Sequence, residues 1–155
     1  ITIGNFFKVS DTLIKEAIEN YIPTNNRSQL LELNGNNIIL DAYNANPSSM
    51  AAAIQNFEQL LSNQKEAILG DMFELGIESI SEHKKIVEMA ENIPQIKFHL
   101  IGSDFFANKT ESANLHFYKT FEDFKDHFKN SDKNGTTLLI KGSRGMALER
   151  TLELL

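Results

Sequence analysis

The chain lacks several features that would place it in a familiar class at once. Its 155 residues contain no cysteine, which excludes disulfides, thiolate metal sites and cysteine nucleophiles and suits a reducing compartment. No apolar run approaches the roughly 20 residues of a membrane helix, and no basic segment followed by an apolar one marks a secretory signal. We therefore expect a soluble protein that does not insert into a membrane.

Basic residues are also too few and too scattered for a nucleic-acid surface. The 21 acidic residues outnumber the 15 basic ones and give a formal charge of −6, and no basic stripe matches a phosphate backbone. We therefore expect no nucleic-acid partner. The sequence contains neither a GxxxxGK[ST] loop nor a GxGxxG turn after a first strand, so two common phosphate-binding motifs are missing as well.

Short apolar segments alternate with amphipathic ones, which is typical of an α/β fold. The predicted strands read QLLEL, NIILDA, EAILG, KFHLIG, LHFYK and TTLLIKG. Helices are predicted to begin after Ser10, after Asn46, at Ser79 or Ser81, and after Thr120, with a final helix over MALERTLELL. Continuous apolar strands separated by helices predict a mostly parallel sheet with helices on both faces.

Two local signals refine this prediction. Asn34 and Gly35 form a tight-turn pair between the first two strands, which predicts an antiparallel hairpin at the edge of the sheet. Pro23 is expected to end the first helix, and the polar segment TNNRSQ is the predicted linker between that helix and the sheet.

Unusual polar residues follow the predicted strands rather than precede them. The segments DAYNAN, GDMFELG, GSDFF and KGSRGM each come at the end of a strand, whereas connections such as SNQK and SDKNG have ordinary turn chemistry. In open α/β sheets the carboxyl ends of the strands form the ligand crevice. The asymmetry therefore predicts a small-molecule site at this edge.

Each of these polar residues also has a simpler explanation. Asn46 before Pro47 is a standard helix cap, Tyr43 could pack at the rim of the sheet and Asn44 could belong to a turn. Asp41 follows an apolar strand directly, and a carboxylate there needs a partner such as a ribose hydroxyl or a cation. We therefore interpret Asp41 as functional and leave both readings open for the others.

The two later segments combine acids and bases. Asp71 and Glu74 could bind an ammonium group or merely shape a turn. The helix start at Lys141, Ser143 and Arg144 is a receptor for a carboxylate or phosphate, or else a solvated basic turn.

The remaining candidates favour structure over chemistry. The four histidines show no metal spacing and no nucleophile partner, and His83 on a predicted helix reads as a polar-face or core-edge residue. Phe121, Phe124 and Phe128 share one helix face and are expected in the core.

Four motifs occur in an order and at separations that resemble the Mur ligase family. They are NNRSQ, DAYNANPSSM, LGDMFELG followed by SISEH, and LLIKGSRGMALE. DAYNANP resembles the motif of the member that adds D-alanyl-D-alanine, and it differs from the DYAHTP-like motif of members that add a single amino acid. The match covers almost the whole chain.

This resemblance implies an activity and its participants. The full enzyme uses ATP and Mg²⁺ to phosphorylate the terminal carboxylate of UDP-N-acetylmuramoyl-tripeptide, and the amine of D-alanyl-D-alanine then attacks the acyl phosphate. It implies a cytoplasmic enzyme of peptidoglycan precursor synthesis. The expected partners are ATP, the UDP-linked tripeptide, D-alanyl-D-alanine, and the N-terminal and central domains of the same ligase.

The resemblance also implies roles for single residues. Arg27 matches a hinge arginine that reaches the nucleotide, Asp41 matches an acid near the ATP ribose, and three further residues fall on the motif facing the inter-domain cleft: Tyr43, Asn44 and Asn46. A second set is expected to bind substrate, with the dipeptide carboxylate held by the last three: Asp71, Glu74, Lys141, Ser143 and Arg144.

The chain departs from the family pattern by what it does not contain. The phosphate loop, the magnesium ligands and the modified lysine belong to the family's central domain, so the main elements for ATP and Mg²⁺ are expected there. Residues 1–27 resemble the tail of that central domain and a hinge. Residues 28–155 resemble the family's Rossmann-like C-terminal domain. The fragment alone is therefore expected to be inactive.

Two other functions account for part of the sequence pattern. A stand-alone flavodoxin-like signalling or ligand-binding module would place acids and Lys141 at strand ends, but a phospho-receiver needs an acidic pair that Asp41 beside Ala42 does not supply. A purely structural interaction domain leaves the clustering of polar motifs unexplained.

Overall fold

The structure is a computed structural model that describes residues 1–21, 26–129 and 133–155. The predicted end of the first helix at Pro23, and part of the predicted linker, lie outside the described residues.

One six-stranded sheet organises the described chain. Its strands are β1 (Gln29–Leu33), β2 (Asn36–Asp41), β3 (Lys65–Gly70), β4 (Lys97–Ile101), β5 (Leu115–Tyr118) and β6 (Thr137–Lys141). The spatial order is β1-β2-β6-β3-β4-β5. The β1–β2 pair is antiparallel, and every other neighbouring pair is parallel. This confirms the predicted α/β class, the mostly parallel sheet and the antiparallel hairpin at its edge.

Six α-helices accompany the sheet in the described residues. They are α1 (Thr2–Phe6), α2 (Asp11–Glu19), α3 (Pro47–Gln59), α4 (Ser79–Glu91), α5 (Ser103–Ala107) and α6 (Phe121–Phe128). Short 3-10 segments cover Gly76–Glu78, Arg144–Met146 and Leu148–Leu154. The sequence reading missed α1 and α5, which have only five residues each.

The prediction of one final helix over MALERTLELL was wrong. The two last 3-10 segments meet at Ala147, whose φ of 49° is left-handed and interrupts any continuous helix.

The predicted helix caps are present. Asn46 accepts a hydrogen bond from Ser49 N at 2.9 Å, while its own N–H donates to the Ser49 hydroxyl at 3.2 Å, and Pro47 occupies the first turn. Thr120 and Asp123 form the same reciprocal cap on α6. Each such cap stabilises a helix by about 1 kcal/mol.

Apolar side chains fill both faces of the sheet. One core packs α3, α4 and α5 against the sheet, and the other packs α6 and the C-terminal segment against the opposite face. Phe124 and Phe128 are at most 1% exposed and Phe121 is 7% exposed. The predicted phenylalanine face is therefore core.

The first two helices stand apart from this core. Ser10 caps α2 as expected, accepting from Leu13 N, yet α1 and α2 have no buried residue. Their large apolar side chains are exposed: Ile1, Ile3, Phe6, Phe7, Leu13 and Ile18. These helices therefore add little to the stability of the sheet domain.

A buried polar network crosses the α6 side of the sheet. His99 Nε2 donates to the Glu66 carboxylate at 2.8 Å, Lys133 Nζ donates to the same carboxylate at 2.6 Å, and the Tyr118 hydroxyl lies 3.2 Å from His99 Nδ1. Burial lowers the pKa of His99 to about 4, although Glu66 opposes this. Burial alone would raise the pKa of Glu66, but the hydrogen bonds from His99 and Lys133 outweigh it and lower that pKa to about 2.

This network predicts a protein that loses stability in mild acid. Between about pH 6.5 and pH 4 the unfolded chain protonates His99 and the folded chain does not. The unfolded state therefore binds more protons, and the free energy of unfolding decreases as the pH is lowered. The full loss in the free energy of unfolding due to His99 is about 3 kcal/mol. Below about pH 4.5 the unfolded chain also protonates Glu66, whereas the folded chain keeps it ionised, so stability decreases further. Urea unfolding at pH 7.0, 5.5 and 4.5 measures the loss.

Substitution separates His99 from the other histidines. His99→Gln keeps an amide donor for Glu66 but cannot titrate, so we expect a lower stability at pH 7 and a flatter pH dependence. His127→Gln, on the exposed face of α6, is the control for the loss of a histidine and should be as stable as the wild type at pH 7. Equal wild-type stability at pH 7.0 and 4.5 would contradict the assignment.

Candidate functional site

The carboxyl ends of three neighbouring strands bring the predicted motifs together. Because β6 lies between β2 and β3, Lys141 is the register partner of both Asp41 and Leu69. The DAYNAN, KGSRGM and GDMFELG segments therefore leave the sheet side by side. This confirms that they share one edge, which the sequence predicted.

An internal ion pair occupies the centre of this edge. Lys141 is 2% exposed, and its ammonium group pairs with the Asp41 carboxylate and donates to Asn44 O at 3.2 Å. The other Asp41 oxygen accepts from Ser28 N at 3.2 Å. The partner that Asp41 needs is thus a cation of the chain itself.

An open cavity of about 320 Å³ lies beside this pair. Its wall includes all five residues predicted to bind nucleotide, with Ser49 and Lys141 added: Arg27, Asp41, Tyr43, Asn44 and Asn46. The Arg27 guanidinium stacks over the Tyr43 ring at 3.8 Å from its centroid, a cation–π contact that orients a positive charge at the rim. The cavity therefore offers a cation, a carboxylate and amide groups.

The helix cap accounts for the hydrogen bonds of the Asn46 side-chain oxygen. Its amide oxygen accepts from Ser49 N at 2.9 Å and from the Ser48 hydroxyl at 3.0 Å. The oxygen therefore has local partners, as the simpler explanation held, and Asn46 still lines the cavity.

The second predicted set lies on the adjoining loops. Asp71 is 3% exposed, and its carboxylate accepts from Asp104 N at 3.1 Å and Phe105 N at 3.0 Å, at the start of α5. Burial raises the pKa of Asp71, although these N–H donors oppose the rise. Gly102 has φ of 130°, and a Cβ there would lie 2.2 Å from this carboxylate, so only glycine fits.

Ser143 joins the acidic loop to the end of β6. Its hydroxyl accepts from Phe73 N at 2.8 Å, and its own N–H donates to Asp71 O at 3.2 Å. Arg144 follows with a side chain that is 60% exposed and bonded to Glu149 at 2.8 Å. Ser143 is therefore a structural link, and Arg144 is the cation of this turn that solvent reaches.

Glu74 has no such anchor. It is exposed, has a left-handed φ of 67° and makes no hydrogen bond or ion pair in the described ranges. Asp71, Ser143 and Arg144 therefore share one loop cluster, Lys141 belongs with the cavity residues, and Glu74 stands apart from both.

Sequence reasoning missed two contributors. Ser28 and Ser49 lie at the first cavity, and only their proximity to Arg27 and to the Asn46 cap signals it. His83 was read as a polar-face or core-edge residue and is fully buried, where it contacts the acidic loop.

A larger cavity, about 520 Å³, lies at the opposite edge of the sheet. Its polar groups are largely used within the chain. Lys65 donates to three carbonyls at the end of α3, and Asn114 donates to three carbonyls after and within α4. We therefore assign the candidate site to the edge that carries the motifs.

The described residues contain neither a cluster of metal ligands nor a helix able to span a membrane. No group of three or more histidine or acidic side chains is placed to hold a metal ion. Across residues 1–21, 26–129 and 133–155, no helix has the length and apolar character needed to cross a membrane.

Comparison with known proteins bears on this site. Residues 26–144 match the protein family described as Mur ligase, glutamate ligase domain. The chain is 30% identical over 136 residues to the UDP-N-acetylmuramoyl-tripeptide–D-alanyl-D-alanine ligase of Rickettsia prowazekii, covering 84% of this chain and 30% of that protein. The corresponding ligase of Borreliella burgdorferi is 31% identical over 160 residues, covering 99% of this chain and 34% of that protein.

Comparison with solved structures leads to the same family. MurF from Acinetobacter baumannii superposes with a TM-score of 0.81 at 28% identity over 95% of this chain and 34% of that one. The chain spans about a third of the length of the relatives it matches. The resemblance read from four motifs is confirmed, in preference to a stand-alone signalling module: the chain belongs to the Mur ligase family and carries its glutamate ligase domain.

Proposed function

We propose that the chain is the C-terminal part of the ATP-dependent ligase that joins D-alanyl-D-alanine to UDP-N-acetylmuramoyl-tripeptide. The observation that carries this proposal is the cavity that gathers Arg27 and the DAYNAN residues beside a buried lysine. The named relatives support the substrate pair. We further propose that the ligase works in the cytoplasm, in peptidoglycan precursor synthesis.

The cavity residues fit a nucleotide that is held mainly elsewhere. Arg27 presents a positive charge suited to phosphate oxygens, and Asp41 presents carboxylate oxygens suited to ribose hydroxyls. Tyr43, Asn44 and Asn46 complete the rim. We propose that the phosphate loop and the Mg²⁺ ligands lie on the central domain, since this sequence has no GxxxxGK[ST] loop. These residues would orient ATP for acyl-phosphate formation.

Lys141 acts through Asp41 in this proposal. Its ammonium group is buried and engaged by Asp41 and Asn44, so it fixes the carboxylate that faces the cavity. The dipeptide carboxylate is then left to the turn at Ser143 and Arg144, where the guanidinium is exposed.

Asp71 and Glu74 take different roles. The Asp71 carboxylate bonds the N–H groups at the start of α5, which supports loop ordering over ammonium binding. Glu74 remains the proposed acid for the dipeptide ammonium.

The domain division is also a proposal. Residues 1–27 would form the tail of the central ATPase domain and a hinge, and residues 28–155 the C-terminal domain. The exposed apolar side chains of α1 and α2 support this, because such surface is usually covered by a neighbouring domain. The partners are then the N-terminal and central domains of the same ligase.

We expect the isolated chain to show no ligase turnover. The phosphate loop and the acyl-forming site would be missing, so ATP, UDP-N-acetylmuramoyl-tripeptide and D-alanyl-D-alanine should release no phosphate. A coupled phosphate-release assay measures this, with the full-length ligase as the positive control. Clear turnover by the chain alone would refute the fragment assignment.

In the full-length ligase, Arg144→Ala should raise the KM for D-alanyl-D-alanine by about tenfold or more, because a charge-assisted contact is lost. Arg144→Lys keeps the charge without the planar fork and should recover part of the affinity. Arg150→Ala is the matched control, since the Arg150 guanidinium stacks on Phe121 instead. An unchanged KM in Arg144→Ala would remove this residue from the site.

The ion pair predicts an unequal pair of stability effects. Asp41→Ala leaves the Lys141 ammonium buried without its partner and should cost about 3–5 kcal/mol. Lys141→Met leaves Asp41, whose side chain is 22% exposed, in reach of water and should cost less. Urea unfolding of the chain measures both, and the double variant should be more stable than Asp41→Ala alone. Equal costs for the two single variants would contradict this account.

A further inference from the structure

His83 holds an unusual place for a histidine on an amphipathic helix. It is fully buried on α4, and its ring meets the Phe105 ring edge-on at 4.7 Å between centroids. Its two ring nitrogens have partners of opposite character. Met72 N donates to Nε2 at 2.9 Å, and Nδ1 lies 2.7 Å from Ser79 O. Asp71 Oδ1 lies farther from Nε2, at 3.5 Å.

The two shorter contacts determine the tautomer. An amide N–H can only donate, so Nε2 must be an unprotonated acceptor, and a carbonyl can only accept, so Nδ1 must carry the hydrogen. His83 is therefore a neutral acceptor for the backbone of the acidic loop.

The loop that His83 holds is anchored at three successive residues. The Asp71 N–H donates to Ile101 O at 3.1 Å, the Met72 N–H donates to His83, and the Phe73 N–H donates to the Ser143 hydroxyl. The partners belong to β4, α4 and the segment after β6. The middle anchor, His83, is a side chain of α4, at the end of the SISEH segment that follows the acidic loop.

The opposite side of the loop carries the last motif. Ser143 N donates to Asp71 O at 3.2 Å, and the Ser143 hydroxyl accepts from Phe73 N at 2.8 Å. Ser143 is thus clamped to residues 71 and 73, on either side of the one that His83 binds. A shift of Met72 would move both contacts and with them Arg144.

We infer that His83 is a positioning residue for the turn at Ser143 and Arg144. It acts through the Met72–Phe73 backbone and does not touch the dipeptide. The dipeptide part of this inference rests on the proposed function, whereas the structural part does not.

Nuclear magnetic resonance of the chain tests the structural part. In the unsubstituted chain, the ring-nitrogen shifts of His83 should report protonated Nδ1 and bare Nε2. His83→Phe removes the acceptor, so the amides of Met72, Phe73, Ser143 and Arg144 should shift and exchange faster. His83→Gln places an amide oxygen near Nε2 and should restore them. His127→Phe, an exposed control, should leave them unchanged.

Steady-state kinetics of the full-length ligase tests the functional part. His83→Phe should raise the KM for D-alanyl-D-alanine by about tenfold while the KM for ATP stays near the wild-type value, because the hydrogen bond that holds Met72, and through it the turn, is lost. His83→Gln should recover most of the affinity. A variant that merely folds less well would lower kcat and keep this KM.

The outcomes separate the two proposals. A protonated Nε2, or unchanged Ser143 and Arg144 amides in His83→Phe, would overturn the positioning role whatever the enzyme does. A fall in kcat with an unchanged KM for the dipeptide would also overturn it. If the wild-type full-length protein does not ligate D-alanyl-D-alanine, the proposed function fails and the resonance data alone decide the role of His83. Should His83→Phe not fold, the ring-nitrogen shifts and Ser143→Ala, which frees the Phe73 amide, supply the same decision.

Discussion

The ion pair between Lys141 and Asp41 is the interaction on which the crevice depends. A buried ammonium group is very costly without a partner, so the sheet must bring a carboxylate to the end of β6. The parallel register of β2 and β6 does this by making the two residues direct neighbours. Asn44 O supplies a second acceptor, which ties the DAYNAN segment to the same lysine.

This arrangement orders the chain around the crevice from the centre outwards. The loop after β2 is fixed by Lys141, while the loop after β3 is fixed by Ser143, two residues further along the same segment. The start of α5 is fixed in turn by Asp71. Each connection depends on a polar group contributed by its neighbour, so residues distant in sequence share one rigid rim.

Much of the fold could be predicted from the sequence because its signals are local. The Asn34-Gly35 turn, the Asn46 cap and the Thr120 cap each depend on residues a few positions apart, and all are present. Clustering of motifs at one edge followed from strand direction alone. The two 3-10 segments after β6 could not be predicted, because nothing in the sequence marks Ala147 for a left-handed conformation.

The site was harder to predict, since its contacts join residues far apart. The pair of Lys141 and Asp41 could not be foreseen because the two residues lie 100 positions apart. The donors to Asp71 could not be foreseen because they are backbone groups of a short helix that the sequence does not announce. His83 was interpreted as a polar-face or core-edge residue because it lies on a predicted helix. A side chain that binds backbone leaves no compositional trace.

The central place of β6 has a consequence for synthesis on the ribosome. Before residues 137–141 emerge, the hairpin of β1 and β2 has no strand connecting it to β3, and both halves expose unpaired edges. Open strand edges invite pairing with other chains. The sheet of a nascent chain therefore cannot close until residues 137–141 have emerged, and a stall in translation before that point leaves two incomplete sheets.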